Sequence, residues 1–338
     1  MVGLFADHDV VFLGEVHRVK HQVRFVPSLF EPLYQAGIRT LATEFGRRED
    51  QARIDSLLAA PVWHEDLARA IVFDQYVWWG YQEYVDVYRG AWELDRNLPA
   101  GEPPFRILGV NDSPDWSQVR KPEDRDDSAI MAKVWRGGSE EHWARVILEQ
   151  VAAGEKVLVY SGMHHAFSEY RQPVVPGGEF KRFDDSRMGN YAYRALGKRA
   201  VTVFMHGPWS GPGGYDAAMV HPADGVIDAL MLGRAGGPRA VGFDLRGSPF
   251  GALEPEHCVY RHGYPGFRLA DFCDGWIYWK PISEYEGATP IAGWITRENL
   301  ERARSQTPNP SSRDLSVEEF NSAIARSADA RRLFGRLR

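Results

Sequence analysis

Four short apolar runs, each followed by a segment bearing an acid or an imidazole, constrain this chain more than any other feature. Residues 10–13 lead into Gly14-Glu15-Val16-His17, and residues 40–45 contain Thr43-Glu44-Phe45 before Gly46. Residues 105–110 end in Gly109-Val110-Asn111-Asp112, and residues 156–160 in Ser161-Gly162-Met163-His164-His165. A fifth run, 200–204, precedes His206. Such runs are brief and rich in β-branched and aromatic residues, so they read as buried strands rather than helices.

Between the first two runs, residues 20–36 place Val23, Val26, Leu29, Phe30, Leu33 and Tyr34 near helical spacing. Pro27 and Pro32 fall inside, so this helix starts at Pro27 or is kinked there, and Gly37 ends it. The first forty-five residues are therefore a β-α-β unit with parallel strands. Residues 48–96 read as helical with a break near Pro61. Their second half is aromatic (Phe73, Tyr76, Trp78, Trp79, Tyr81, Tyr84, Tyr88, Trp92), as expected of a helix packed on one side and lining a pocket on the other. A polar helical stretch separates the third and fourth runs. This alternation predicts an α/β fold, a central, mostly parallel β-sheet flanked by helices with helical and loop-rich insertions.

The 338 residues fit a single enlarged α/β domain. Its core spans 8–206, and a Gly- and Pro-rich stretch, 207–308, completes it with a late strand at 276–279. A polar linker, 309–313, and a C-terminal helix capped by Ser316 and Glu319 follow. A net charge of -6 with interspersed signs offers no stripe for a phosphate backbone, so no nucleic acid is expected. Two cysteines, Cys258 and Cys273, make neither a disulfide framework nor a zinc knuckle. With no basic-then-apolar leader at 1–9 and no membrane-length apolar stretch, the expected location is cytoplasmic, away from membranes.

Open parallel sheets take ligands at the carboxyl ends of their strands, so the strand-end residues are the candidates for chemistry. Glu15 and His17 are two apart and share a face if the extended backbone continues, while Val16 turns to the core. Buried together, Glu15 and Glu44 require a metal, a proton or a cation, and His17 and His165, on matching Gly-x-x-His segments, are the complements. Two mechanisms follow. A divalent metal would be held by His17, His165 and one or both of Glu15 and Glu44, with a remaining carboxylate as base; the mixed shell suits Mn, Zn, Fe or Co alike. Without a metal, Glu44 or Glu15 raises the basicity of His17 or His165, which takes a proton from water, with Asp112 as orienter or as a helix cap. No Gly-x-Ser-x-Gly elbow occurs and both cysteines lie outside the motifs, so water is the expected nucleophile.

Further candidates face the substrate, a small molecule or peptide. Arg47 and Arg48 are forks for a carboxylate or ordinary pairs at a helix start. Tyr76, Trp79, Tyr81 and Glu83 are pocket walls or core. His206 belongs at the rim, and His164 beside the pocket, pointing away from His165. His21, one turn after His17, either joins the site or sits on the surface of the first helix.

Taken together, Gly14-Glu15-Val16-His17, Glu44, Gly109 to Asp112 and Gly162-Met163-His164-His165-Ala166 resemble the superfamily of erythromycin esterases, ChaN-like haem-uptake proteins and Tiki proteins. Trp78-Trp79-Gly80-Tyr81-Gln82-Glu83, with Trp92 and Asn97 beyond, is similar to the aromatic helix of the esterase branch. The resemblance covers roughly residues 8–206 and implies an α/β fold with an active cleft above the sheet. Tiki-like members imply metal-dependent peptide hydrolysis on His17, His165 and Glu44, and esterase-like members imply activation of water against a macrolactone by the same three. ChaN-like members imply haem instead, with His17 or His165 as axial ligand and a Soret band as its mark. Arg18 stands where the esterases carry glycine and the second histidine is doubled, departures that put a macrolide substrate in question. A hydrolase of an ester or amide bond is the resulting expectation, with a haem-binding protein or a non-hydrolytic tailoring enzyme as alternatives.

Overall fold

The computed structural model describes residues 1–337 apart from 235, 238 and 239. Among them, the apolar runs become β1 (Val10–Glu15), β2 (Thr40–Arg47), β3 (Arg106–Asn111), β4 (Val157–Gly162) and β5 (Ala200–Met205). Two later strands, β6 (Val241–Asp244) and β7 (Gly275–Tyr278), extend the same sheet beyond residue 206. The order is β6-β7-β5-β1-β4-β2-β3, parallel except for the β6–β7 pair. In register, Gly14 lies beside Ser161 and Glu15 beside Gly162, so the ends of β1 and β4 are level.

The central strands β1, β4 and β5 are buried throughout and mostly apolar because both sheet faces are covered. Val11 and Leu13 of β1, with Leu158 and Tyr160 of β4, face one core. Val10 and Phe12, with Val157 and Val159, face the other. The first face is covered by α1 (Lys20–Ser28), α2 (Phe30–Gln35), α3 (Gln51–Ala59), α4 (Glu65–Gln75) and α5 (Gln82–Asn97). After α6 (Ser128–Val134), α7 (Glu140–Ala152), α8 (Met188–Leu196) and α9 (Val226–Leu232) contribute to the second. No helix among the described residues is long and apolar enough to cross a membrane, and Cys258 and Cys273 are buried and unpaired with each other.

Three local expectations are corrected. The helix expected over 20–36 is two helices meeting at Leu29; Pro32 occupies the first turn of α2, where a missing N–H costs least, whereas Pro27 in the last turn of α1 removes a helical hydrogen bond just before the break. The aromatic helix has a second break: Tyr76 to Tyr81 are not helical, and α5 begins only at Gln82. Tyr81 bridges Pro290, and Gly80 lies so close to the Trp294 ring that a Cβ would stand 2.6 Å from it, so tertiary contact overrides the helical pattern. Residues 309–313 are no free linker, since Arg313 donates to the carbonyls of Val119 (2.8 Å) and Trp116 (2.6 Å). Ser316 and Glu319 do form the capping box of Val317–Ser327.

Candidate active site

The alternation of β1 puts Glu15 on the face of Val11 and Leu13, and there it meets α5 and β4. Its carboxylate, almost fully buried, accepts hydrogen bonds from Tyr84 Oη (2.7 Å), Tyr160 Oη and His17 Nδ1 (2.8 Å). Three donors offset the desolvation of a buried anion. Burial, then the Glu15 charge, pushes both tyrosines well above their ordinary range, so they remain donors. Because a carboxylate only accepts, His17 presents a proton on Nδ1 to Glu15 and turns Nε2 toward Glu44.

Glu44 lies where β2 loses regular register with β3, between Thr43 and Arg47. This irregularity turns the strand end into the site. Glu44 Oε2 accepts the Gly162 N–H (2.9 Å) and lies 3.5 Å from His165 Nε2, while Oε1 lies 3.9 Å from His17 Nε2. The two imidazoles thus flank one carboxylate, as required if the strand-end residues are to act together. Gly162 is needed for this approach: a Cβ there would stand 2.5 Å from the His17 ring.

Behind His165 stands a residue that sequence reasoning missed. Glu140, first residue of α7 after the Ser139 cap, places Oε2 3.0 Å from His165 Nδ1. It also accepts from the Met188 amide at the start of α8 (2.8 Å) and from Arg187 (2.9 Å). Burial raises the Glu140 carboxyl, but His165, Arg187 and the Met188 amide outweigh it and hold it at about 2. Burial likewise lowers His165, yet Glu140 and Glu44 outweigh it and raise the imidazole, which favours imidazolium. In sequence, Ser139-Glu140-Glu141 reads only as a helix start.

A cleft of about 520 Å3 opens over this cluster. His17, Glu44, His165, Asp112, Tyr76 and Trp79 line it, as do the unforeseen Glu140, Arg187, Trp116, Trp135, Trp143 and Tyr191. Asp112 orients neither His17 nor His165; it is bound by Arg48 (2.7 Å) and stands 3.8 Å from His142. Arg18, in the position of the missing glycine, has the left-handed φ of 67° that glycine adopts freely. That conformation costs a side chain about 1–2 kcal/mol, and the Arg18 guanidinium lies 4.9 Å from the Trp79 ring centre.

Five expected site residues lie elsewhere. Arg47 is held by Asp50, Glu49 and Ser113, leaving no fork for substrate. Glu83 is buried on Thr289, accepting from its N–H (2.7 Å) and Oγ1 (2.8 Å). His164 turns to Tyr260 Oη (2.9 Å), where burial, then Arg187, His165 and His17, lower it to about 3. His206 is fully buried on Asp228 rather than at a rim. His21 is neither in the site nor on the surface but wedged between Tyr285 and Trp279; burial, then Lys280 and His206, lower it to about 3.

The donor set does not fit a metal. Both Glu15 oxygens are taken, His165 faces a carboxylate on each ring nitrogen, and Glu44 Oε2 serves Gly162. Among the described residues, no group of three or more His, Cys, Asp or Glu side chains is placed to hold an ion. A haem iron would also have to draw an Nε2 away from Glu44, which both of them face.

No protein-family model matches the chain, and no curated protein matches it. Solved structures do share its fold. A succinoglycan biosynthesis protein is similar over 86% of this chain and 91% of its own, with TM-score 0.54 and 10% identity. An erythromycin esterase mutant, EreC, in its open conformation is similar over 88% of this chain and 95% of its own (TM-score 0.53, 10% identity). A Bacillus cereus protein is similar over 86% and 91% (TM-score 0.50, 11% identity). At such identities the likeness is one of fold, and the erythromycin-esterase-like α/β architecture expected from the strand ends is the architecture found.

Proposed function

We propose that this chain is a hydrolase that activates water to cleave an ester or amide bond in a small molecule or peptide. One observation carries the reading: Glu15–His17 and Glu140–His165 are two carboxylate-backed imidazoles whose Nε2 atoms face the same carboxylate, Glu44, at the floor of a cleft. Each imidazole has a different proton state to offer. His17, with its proton on Nδ1, accepts a proton at Nε2 from water as the water oxygen bonds to the carbonyl carbon. Glu44 Oε1, close by, balances the imidazolium that forms. His165, raised and facing carboxylates from both nitrogens, donates from Nε2 to the leaving oxygen or nitrogen as the scissile bond breaks. The proton gained at His17 Nε2 is then released to solvent and one from solvent returns to His165 Nε2, which restores both imidazoles as the acid product leaves. An esterase among the proteins of the same fold is in keeping with this reading.

The test is hydrolysis of p-nitrophenyl esters and peptide anilides by the parent, His17→Ala and Glu44→Gln proteins. Turnover by the parent with loss in both variants is expected. Equal rates in all three, or no turnover by the parent on any ester or anilide, sinks the reading.

A further inference from the structure

We propose that the cleft takes a substrate bearing an oxyanion, a carboxylate or phosphate held away from the scissile bond by an apolar spacer, and that Arg125 selects it. The scissile bond rests on the hydrolase reading above; the preference for an anion does not. Arg125 lies in the turn Pro122–Asp126 after β3, is exposed, and lines the cleft. Among the described residues, no carboxylate forms an ion pair with its guanidinium. Its acidic neighbours in sequence serve elsewhere. Asp124 accepts from the N–H groups of Arg120 (2.8 Å) and Lys121 (3.1 Å), Asp127 caps α6 at Ala129 (2.8 Å) and Ile130 (3.2 Å), and the exposed Glu123 and Asp126 do not reach it. The other arginine lining the cleft, Arg187, is held by Glu140, Gln172 and Asp184, and the lining Asp112 is answered by Arg48. Arg125 is therefore the cleft's unanswered cation.

An arginine on open surface is satisfied by water. One in a concave wall of aromatic rings meets a lower dielectric, where a counter-charge is worth more. Burial raises the Tyr76 phenol, and the charges of Arg18 and then Arg125 draw it back, so both guanidinium groups act on this one wall. Arg18 lies 4.9 Å from the Trp79 ring centre and also has no carboxylate partner among the described residues. From Tyr76 the rings lead to the chemistry: its centre is 5.5 Å from that of Trp79, which is 4.8 Å from that of His17. A substrate with its scissile carbonyl at His17 and Glu44 thus runs an apolar spacer along Trp79 and Tyr76 and ends at Arg125. This keeps the negative end away from Glu44 and Glu140, which repel it. The chain carries a net charge of -6, so attraction for an anion is a property of this wall and not of the whole molecule.

Binding to the full chain is measured by tryptophan fluorescence and saturation-transfer NMR for the monoamide of suberic acid, for the neutral suberic diamide, and for the cationic ω-aminooctanamide. The monoamide anion is expected to bind at least about fivefold tighter than the diamide, the weight of one charge pair, and the cation more weakly than either. Arg125→Ala is expected to bring the ratio of anion to diamide within about twofold of unity, and Arg125→Glu to invert it. The side chain is exposed and holds no other residue, so neither change disturbs the fold. ω-Phosphonoheptanamide names the oxyanion: tighter binding than the monoamide assigns the wall to phosphate, and weaker binding, still above the diamide, assigns it to carboxylate. Equal binding of anion and diamide, tighter binding of the cation, or an advantage that survives in both variants overturns the proposal. The p-nitrophenyl monoester of suberic acid and its methyl ester then separate the two readings. Anion preference in binding without release of p-nitrophenol leaves the recognition standing and removes the hydrolase reading, whereas release from both at equal kcat/KM removes the recognition alone.

Discussion

Two places in this molecule set one carboxylate between two histidines, and they behave differently. In the cleft, Glu44 faces His17 and His165 at 3.9 and 3.5 Å, beyond good hydrogen-bond length, and all three line a cavity open to solvent. Near the end of β5, Asp228 binds His206 (3.0 Å) and His221 (2.9 Å) directly. Trp276 Nε1 donates to the remaining ring nitrogen of His206 (3.2 Å), and the ring is packed by Tyr278 and Tyr285. Burial raises the Asp228 carboxyl, but its two histidines outweigh it and lower it overall. Composition is nearly the same in the two clusters, so residue type does not make a site. Spare hydrogen-bonding capacity facing a cavity does, and a saturated cluster ties the fold together instead.

The contrast is broken most severely at its centres. Glu44→Gln is expected to lower kcat/KM by roughly a thousandfold, within the range for a lost acid–base partner, while the urea midpoint moves little. A large midpoint loss with activity retained per folded molecule would falsify the assignment. His206→Ala should do the reverse, costing about 3 kcal/mol because Asp228 is left as a buried charge with one partner fewer, with kcat per folded molecule nearly unchanged.

Glu140→Gln sharpens the comparison within the cleft. Removing the negative charge lowers the pKa of His165, so the alkaline limb of the pH–rate profile moves to lower pH, with a loss of roughly ten- to a hundredfold near neutrality. An NMR titration of His165 checks the shift, and an unmoved imidazole refutes the role. The sign for stability also follows. Glu140, depressed from 4.5 to about 2, contributes fully above about pH 4.5 and loses that contribution as pH falls toward about 2. His165, raised from 6.5, contributes fully below about pH 6.5 and loses it as pH rises through the folded value. The smallest effect is expected at Arg48→Ala. Its exposed pair with Asp112 is worth at most about 1 kcal/mol, and a tenfold drop in kcat would show that Asp112 does more than the geometry indicates.

The strands, their parallel pairing and the chemical ends of β1, β2 and β4 were legible because period and punctuation are local. Glu15 with His17 could be read from the two-residue repeat of a strand, and the pairing of Glu44 with two histidines from the cost of a buried anion. His206 shows where that reading stops. It follows a strand like the others, but whether it meets a cavity depends on Asp228 and Trp276, which are 22 and 70 positions away. Glu83 and Arg47 were lost in the same way, to Thr289 and to Asp50. Glu140 carried no signal that distinguishes it from an ordinary first-turn acid.

By itself, the sequence determined which residues end the central strands and on which face each must lie, since backbone alternation leaves no choice. Only the tertiary structure decided which of those ends remain open, which acid backs each imidazole and which aromatic rings wall the cleft. Those outcomes depend on helices and loops brought from distant parts of the chain, and burial assigns a side chain its partners only when they arrive.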